Sequence, residues 1–583
     1  MNKGNTDLNR ARTNLMRPAL HALLIATLFL ALATPALAQN PRRPLTDEAK
    51  RQIESVLPAE ASAVAKEARK LLIYDGNVGY PGHASIPYAD HAFTRMGEKT
   101  GTFTTVVSRD PAVFKRDSLA QFDAVCLNNT VGNLFTDPQL RQNLLEFVLS
   151  GGGLLGIHGT TVAFTDFKRG AKETWPEFGL MIGGRGASHL AQDERVVVKL
   201  DSPDHPLTRP FGGKGFEHVS EFFRVRGPYS RDRLHVLFSI DTAKTELPPK
   251  GAYPHVERAD EDYALAWTRN YGRGRVVYCT IGHSPQDFMN PKILEFYLGA
   301  LQFIMGDIGG STTPSNRLTP AVAVQEELGW RFGVTMWGLH EYSLFEGIDK
   351  THELGLSYVG GLSFQKVSKK IPKNFDCNLS DEELAQVRLK MDAAGVRMPT
   401  FFYAKIPGDE AGCREVFEFG RKMGIETFIS EPPPESLDVI ERFCDEYDIK
   451  LAIHNHGPNQ SPVYWRPEGI LEVCKGRSKR VGACPDTGYW IRAGIDPVEG
   501  IRKLGNRVIT IQPHDLNELS SEGHDVPWGT GKAEIEKLLH ELRRLGIKPT
   551  LIGLEYSYDY LDNMPEMAEC VEFTTRLKLD GEG

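Results

Sequence analysis

Eight polar residues in the C-terminal half of the chain are of the types that bind metal ions or transfer protons. They are His340, Lys405, Glu431, His454, His456, Asp486, His514 and Glu555. Three carboxylates and one imidazole among them form a mixed oxygen and nitrogen set, which suits a divalent ion such as Mn²⁺, Mg²⁺, Co²⁺ or Zn²⁺. Burying several charges at one place without a counter-charge is unfavourable, so we predict that one divalent ion is bound here. The predicted metal ligands are Glu431, Asp486, His514 and Glu555.

Eight short apolar segments position these residues, and each is followed by a helix-like or loop segment. They read RFGVTMW, YVGGLSF, RMPTFFYA, ETFIS, KLAIHNHG, RVGACPD, RVITIQPHD and PTLIGLE. Eight such units in about 250 residues predict a (β/α)8 barrel. The polar residues stand at the carboxyl ends of these strands, which form one mouth of such a barrel, so we expect them to converge. His454 and His456 are two apart on one strand and should point to the same side, with Asn455 pointing away.

This part of the chain resembles the xylose isomerase-like sugar isomerases and epimerases, a superfamily that also includes apurinic endonucleases. The motifs that carry the resemblance are ISEP, AIHNHG, CPDTGYW, IQPHDL and GLEYS. The resemblance implies a Glu, Asp, His, Glu metal set, which maps onto the four ligands named above. It also implies that Glu431 and Glu555 act as an acid/base pair and that His456 contacts the substrate. We take His454, His340 and Lys405 as further substrate-binding candidates.

Two features depart from the family pattern. The second strand reads GGLSF and contains no acid, and three prolines, Pro432 to Pro434, directly follow Glu431. Both departures concern the substrate pocket more than the metal. A metal ion at a substrate carbonyl favours removal of the neighbouring C–H proton. Isomerisation, epimerisation and elimination all start with that step, and the sequence does not choose among them.

Residues 70–306 alternate between strand-like and helix-like segments, which predicts an α/β domain with a mostly parallel sheet. Within it, GGGLLGIHGTT places His158 at a tight turn from a strand into a helix. Class I glutamine amidotransferases carry a nucleophilic cysteine at this position, and that cysteine is missing here. In NYGRGR the glycines indicate a β-hairpin turn rather than a phosphate-binding loop.

The same domain resembles the ThuA-like, trehalose-utilisation family, through YPGHASIP, GIHGTT, GGRGASH, SEFFRV and AWTRNYGRGRVVYCTIGH. The resemblance implies a flavodoxin-type, amidotransferase-like sheet and a role related to sugars. Four histidines and a glutamate in these motifs suit a metal or sugar site at the carboxyl edge of the sheet. The alternative is that His158 and His283 are buried turn residues hydrogen-bonded to the backbone. The candidate residues are His83, His158, His189, Glu221 and His283.

The remaining segments predict export and a two-domain arrangement. Residues 1–38 combine basic residues, an apolar run and a small-residue end near Ala38, which is typical of a cleaved signal peptide. We therefore expect a periplasmic or extracellular protein with no other membrane contact. Residues 39–69 are predicted to form a helical segment, residues 307–329 a linker, and residues 330–583 the barrel. The eight cysteines contain no CxxC pair and are interpreted as mainly buried thiols.

Composition narrows the class of function. Apolar residues make up 41% and charged residues 25%, which indicates a globular protein with a sizeable core. Acidic residues (76) exceed basic ones (68), so the net charge is −8, and no basic tract offers a face for nucleic acid. We predict an exported metal-dependent carbohydrate enzyme, with a 3-keto-glycoside as an attractive substrate. The alternatives are a non-catalytic carbohydrate-binding scaffold and, less favoured, an apurinic-site endonuclease. The oligomeric state stays open, and an oligomer is compatible with the sequence.

Overall fold

The computed structural model describes residues 44–167 and 172–577. The predicted signal peptide, residues 1–38, lies outside these ranges. Within them, no helix combines the length and the apolar character needed to cross a membrane. All eight cysteines lie within the described ranges and are free thiols, seven of them buried and Cys377 partly exposed, as the spacing predicted.

The N-terminal half is an α/β domain. Its strands are β1 (Lys70–Tyr74), β2 (Thr104–Ser108), β3 (Ala124–Asn128), β4 (Gly153–Ile157), β5 (Arg185–Ser188), β6 (Glu194–Leu200), β7 (Phe216–Ser220), β8 (Arg224–Arg226), β9 (His235–Ile240), β10 (Ala264–Tyr271) and β11 (Gly274–Cys279). Its helices are α1 (Asp47–Val56), α2 (Ile86–Thr100), α3 (Arg116–Leu119), α4 (Pro138–Leu149), α5 (Pro176–Ile182) and α6 (Pro291–Ile304).

The main sheet of this domain has a parallel half and an antiparallel half. Strands β2-β1-β3-β4-β11 are parallel neighbours in that order, which is the strand order of flavodoxin. Strands β10, β9, β6 and β7 then extend the sheet by antiparallel pairing. The parallel half was predicted from the sequence, but the size of this antiparallel extension was not. The predicted NYGRGR hairpin is confirmed, since β10 and β11 pair from Tyr271 to Gly274 across a two-residue turn.

Strand β1 shows why the parallel strands are apolar throughout. Leu71 and Ile73 pack into the core on one face of the sheet. Leu72 and Tyr74 pack into the core on the other face. Because helices cover both faces of a parallel sheet, successive side chains are buried on opposite sides and the strand shows no polar alternation.

The C-terminal half is a barrel of parallel strands and helices. Its strands are β12 (Phe332–Thr335), β13 (Tyr358–Leu362), β14 (Arg397–Phe402), β15 (Thr427–Ser430), β16 (Lys450–His454), β17 (Val481–Cys484) and β18 (Ile552–Leu554). Its helices are α7 (Pro320–Leu328), α8 (Leu344–Glu353), α9 (Asp381–Ala394), α10 (Glu410–Met423), α11 (Leu437–Tyr447), α12 (Pro467–Val473), α13 (Thr487–Arg492), α14 (Pro497–Leu504), α15 (Ile535–Arg544) and α16 (Met564–Thr575).

Seven of the eight predicted barrel strands form a continuous parallel sheet in the order β17-β16-β15-β14-β13-β12-β18. The seventh predicted segment, RVITIQPHD, is not a regular strand. It makes single parallel bridges instead. Val508 pairs with a residue of β17, Gln512 pairs with Asp486 just after β17, and Ile511 pairs with a residue of β18. This segment therefore lies between β17 and β18 and closes the barrel. Its hydrogen bonds alternate between the two neighbours and do not form a ladder with either.

Several helices of the barrel begin at a residue whose side chain caps the first turn. The caps of α8, α9, α10 and α13 each accept a hydrogen bond from the backbone N–H group three residues further on, which fixes where each strand-to-helix loop ends. These capping residues are Ser343, Ser380, Asp409 and Asp486. Asp486, a predicted metal ligand, is therefore also a structural residue.

Two connecting segments differ from the sequence prediction. The N-terminal helix ends at Val56, and residues 57–69 are not helical, because Pro58 disfavours helical backbone at the residue before it. The predicted linker contains helix α7, and its first part is bound to the α/β domain. Ser315 N donates to Leu234 O at 2.9 Å, and His235 Nδ1 donates to Thr313 O at 2.7 Å. A composition rich in Gly, Ser, Thr and Pro indicated irregular backbone correctly but did not indicate these contacts.

Candidate functional site

Three of the four predicted metal ligands of the barrel come together. Asp486, His514 and Glu555 are buried and offer ligand atoms within 4.8 Å of one another. Asp486 follows β17, His514 lies in the closing segment, and Glu555 directly follows β18. The expectation that strand ends would converge at one mouth is therefore met for these three residues.

The backbone at Asp486 is held from the neighbouring strand. Asn455, which directly follows β16, accepts a hydrogen bond from Asp486 N at 3.0 Å and donates one to Asp486 O at 3.0 Å. The Asp486 carboxylate also accepts from Tyr489 N at 3.0 Å. These contacts leave Oδ2 of Asp486 facing the ring nitrogens of His454 and His514, each 3.6 Å away.

His514 is oriented as a metal-binding histidine is. Its Nδ1 donates to Oδ1 of Asp525 at 2.7 Å, so in the neutral ring the lone pair is on Nε2. That Nε2 is buried and has no hydrogen-bond partner among the described residues. A ligating histidine typically donates its other ring nitrogen to a carboxylate, as His514 does to Asp525. The donor set therefore fits a divalent ion.

The environment separates the pKa values of the carboxyl groups. Burial and the nearby charge of Asp486 raise the pKa of Glu555 to about 7. Burial opposes ionisation of Asp486 as well, but the two facing imidazoles, His514 and His454, outweigh it and lower the pKa of Asp486. Gln512 Nε2 donates to Oε2 of Glu555 at 2.8 Å and holds that side chain in place.

Glu431, the fourth predicted ligand, belongs to a neighbouring group with His454 and His456. Its Oε1 accepts a hydrogen bond from His454 Nδ1 at 2.9 Å and one from His456 Nδ1. The two histidine rings lie on the same side of the chain, with centroids 4.6 Å apart, as their spacing predicted. Although burial opposes ionisation, these hydrogen bonds lower the pKa of Glu431 to about 2.

His454 lies between the two groups. One ring nitrogen contacts Glu431 and the other lies 3.6 Å from Asp486. Burial alone would lower its pKa, but the nearby Asp486 carboxylate and the hydrogen bond to Glu431 raise the pKa of His454 to about 10. The residue taken as a substrate-binding candidate is thus a buried connection between predicted metal ligands.

Aromatic side chains line the mouth near the other substrate-binding candidates. His340 stacks on Trp337 with centroids 4.4 Å apart and meets Tyr560 edge-on at 4.5 Å. Trp337 and Phe364 are 37% and 41% exposed, so their rings are accessible to a ligand. Lys405 is exposed in the loop after β14. Phe364 is the last residue of GGLSF, so the second predicted strand segment ends in an aromatic residue and contains no acid.

The candidate residues of the α/β domain also converge. His83, His158, Glu221 and His283 offer ligand atoms within 4.8 Å of one another. His189, the fifth candidate, places its Nδ1 3.3 Å from Oε2 of Glu221. Burial and the neighbouring histidines lower the pKa of His83 to about 2. His158 directly follows β4 with φ +41°, which confirms the tight turn predicted there.

Family comparisons match both halves of the chain. Residues 70–304 match the ThuA, trehalose-utilisation family. Residues 434–577 match the family of xylose isomerase-like TIM barrels, in a segment that begins just after Glu431. The chain joins a ThuA domain to a xylose isomerase-like TIM barrel. Among curated proteins, none matches the sequence significantly.

Solved structures are similar to parts of this chain. An uncharacterised protein from Parabacteroides distasonis is 31% identical over 42% of this chain and 97% of its own, with a TM-score of 0.35. A D-tagatose 3-epimerase-like protein is 20% identical over 42% and 98%, with a TM-score of 0.33. A D-psicose 3-epimerase solved in the presence of D-fructose is 16% identical over 43% and 100%, with a TM-score of 0.34.

Three residues that position the ligands of the TIM barrel were not predicted from the sequence. Asp525 orients His514, Gln512 holds Glu555, and Asn455 holds the backbone at Asp486. Asn455 lies between two candidate histidines. Strand geometry predicted that its side chain points away from them, and this was the one indication in the sequence of a separate role. Asp525 lies in a loop with no periodic pattern, and its role depends on how that loop folds back on the barrel.

Proposed function

We propose that the TIM barrel is a divalent-metal-dependent carbohydrate enzyme that removes a proton from the carbon next to a sugar carbonyl. The observation that carries this proposal is the buried, unpartnered Nε2 of His514, which faces Asp486 in a group with Glu555. Two buried carboxylates, Asp486 and Glu555, lie beside this nitrogen, and a divalent ion would offset their charge and accept the His514 lone pair. Asp486, His514 and Glu555 would hold the ion, and Glu431 as fourth ligand stays a prediction.

When bound, a divalent ion supplies positive charge that stabilises the negative charge developing on a carbonyl oxygen. Residues of the chain would then accept and donate the transferred protons. Glu431 is kept as a carboxylate by two histidine hydrogen bonds, which suits a proton acceptor. Glu555, on the other side of the site, would be the second carboxylate of the acid/base pair, held in place by the hydrogen bond from Gln512.

The substrate we propose is an unphosphorylated sugar or glycoside. The aromatic rim formed by Trp337, Phe364 and Tyr560 offers apolar faces of the kind that line small-molecule pockets. Export, predicted from residues 1–38, favours a substrate found outside the cytoplasm. A 3-keto-glycoside is the leading candidate because its ketone acidifies the neighbouring C–H. Isomerisation, epimerisation and elimination remain alternative outcomes after proton removal.

Solvent deuterium exchange tests the proposal directly. The metal-replete chain is incubated in deuterium oxide with 3-keto-glycosides and free sugars, and uptake of deuterium at carbon is followed by NMR and mass spectrometry. We expect uptake that falls at least about 100-fold in Glu431→Gln and Glu555→Gln, since general acid–base catalysis contributes about that much. Glu435→Gln, an exposed glutamate four residues away, serves as the control and should behave as wild type.

Two results would contradict the proposal. Metal-loaded protein that binds sugars but exchanges no proton would favour the non-catalytic scaffold. Exchange that persists in both glutamate variants would place the chemistry elsewhere. A tight, salt-sensitive complex with abasic DNA would instead support the endonuclease alternative.

A further inference from the structure

The His and Glu cluster of the ThuA domain is assembled from loops far apart in sequence. His83 follows β1, His158 follows β4, Glu221 follows β7 and His283 follows β11. Three of these loops leave the carboxyl ends of parallel strands, the edge at which doubly wound sheets bind ligands. Their ligand atoms nevertheless lie within 4.8 Å of one another.

Beside Glu221, a buried histidine nitrogen has no hydrogen-bond partner in the described part of the chain, and a bound cation would satisfy it. His158 Nδ1 donates to Thr280 O at 2.8 Å, so in the neutral ring Nε2 carries a lone pair. That Nε2 is buried without a hydrogen bond and lies 3.3 Å from Oε1 of Glu221. A lone pair facing a carboxylate oxygen at this distance is repulsive unless a positive charge lies between them.

Protons are a poor source of that charge. The rings of His83, His158 and His283 have centroids 5.0 to 5.3 Å apart. Protonating them would place like charges side by side in a largely buried site, which is unfavourable. A single divalent ion would neutralise Glu221 and accept the histidine lone pairs at once.

The surrounding loops are tied together before any ion binds. Asn129 Nδ2 donates to Gly282 O at 2.9 Å, and Asn129 Oδ1 accepts from Gly159 N at 3.3 Å. Ser85 Oγ donates to the same Gly282 oxygen at 2.7 Å. These bonds connect the loops after β1, β3, β4 and β11, so the loops that carry the three histidine ligands are held together.

The backbone at His158 supplies independent support. A φ of +41° is uncommon for residues other than glycine, although asparagine, aspartate and histidine adopt it more often than the rest, and it is found at functional turns. Glycine would adopt this turn with less strain. A histidine is therefore placed there at a conformational disadvantage, with its ring aimed into the cluster.

We propose that the ThuA domain binds its own metal ion, of the Zn²⁺ class, through His83, His158, Glu221 and His283. Three imidazoles and one carboxylate without a thiolate suit Zn²⁺, Fe²⁺ or Ni²⁺ better than Mg²⁺ or Ca²⁺. The Thr280 carbonyl acts as the outer partner that fixes the tautomer of His158. His189, whose side chain is 36% exposed, lies on the solvent side, where a further ligand can approach.

The test separates this ion from the one proposed in the barrel. His514→Gln in the full chain removes a barrel ligand, so Zn²⁺ bound by this variant reports on the ThuA domain. After chelation and dialysis, Zn²⁺ is titrated and counted by mass spectrometry, and Co²⁺ is followed by its visible absorption. We expect one equivalent in His514→Gln, and an affinity more than about 100-fold weaker when His158→Gln or His283→Gln is added.

His91→Gln is the matched control, because His91 lies in the same domain, is 19% exposed and pairs with Glu54 outside the cluster. Adding it should leave the Zn²⁺ equivalent intact. Circular dichroism verifies folding, and His283, 18% exposed, tolerates substitution more readily than the fully buried His158. The proposal is overturned if His514→Gln binds no Zn²⁺, or if the added cluster variants bind it as tightly as the control. Neither result depends on sugar turnover, so failure of the barrel chemistry would be seen separately.

Discussion

At the scale of single residues, the barrel site depends on side chains that do not themselves face the candidate ion. Asp525 is 2% exposed, accepts from His514 Nδ1 through Oδ1, and accepts from Ser557 N at 3.1 Å through Oδ2. It therefore links the closing segment of the barrel to the chain after β18. The direction of the His514 lone pair follows from this one carboxylate.

We expect Asp525→Asn to lower the metal affinity of the barrel about 10- to 100-fold, because outer partners of ligating histidines contribute about that much. The amide accepts more weakly than the carboxylate and reduces the basicity of His514. Competition titration with a metal indicator measures the change. Asp562→Asn, an exposed aspartate in the chain after β18, is the control. Equal affinity in both variants would show that His514 is not a ligand.

At the scale of elements, neighbouring strands are joined by side chains as well as by backbone pairing. Asn455 is fully buried and bonds both backbone groups of Asp486, at the point where β17 has ended and α13 begins. The regular ladder between β16 and β17 stops at the pair His454 and Cys484. Asn455 thus continues the connection beyond the ladder and sets the position of a predicted ligand.

Asn455→Ala should lower the free energy of unfolding by about 1 to 3 kcal/mol, since it leaves the buried N–H of Asp486 unpaired and its C=O with only the long hydrogen bond from Trp490 N, 3.4 Å. Urea denaturation followed by circular dichroism measures this change. Asn378→Ala, at an exposed position, should stay within about 0.5 kcal/mol of wild type. A small effect at Asn455 would mean that water or a shifted backbone replaces its two hydrogen bonds.

At the scale of the whole molecule, ion pairs join the ThuA domain to the barrel. Arg269 and Arg233 of the first domain both face Asp392 of α9, with Arg233 Nε 3.4 Å from Oδ2. Glu177 pairs with Arg388 at 2.9 Å, and Glu146 with Arg421. Most of these side chains are largely buried, so each charge is stabilised by its ion-pair partner and not by water.

Asp392, whose side chain is 6% exposed, offers a test of this interface. Asp392→Asn leaves two arginines without their partner and should destabilise the chain by about 3 to 5 kcal/mol, as broken buried ion pairs do. Calorimetry should show a lower transition or two separated transitions, one for each domain. Asp381→Asn, from an exposed pair with Lys422, should change stability by less than about 1 kcal/mol. Identical melting of the two variants would show that the domains are not coupled through Asp392.

The sequence alone indicated the two domains, their fold classes and the candidate ligands, but not the antiparallel extension of the first sheet or the irregular closing segment of the barrel. Runs such as KLLIY and KLAIH are apolar because both faces of their strands are buried, and that pattern is local. Polar residues at the ends of such runs, among them His158, Asp486 and Glu555, could be identified without knowing how the strands pair. The alternation of His454 and His456 likewise follows from strand geometry alone.

The tertiary structure decided which of these residues meet. Glu431 lies with His454 and His456, while Asp486, His514 and Glu555 form a separate group, because side-chain directions at a barrel mouth depend on the packing of all its strands. Asp525 contacts His514 because the loop that carries it folds back on the barrel. Asp392 contacts Arg269 because the two domains pack against each other. Such contacts join residues distant in sequence, and no local pattern records them.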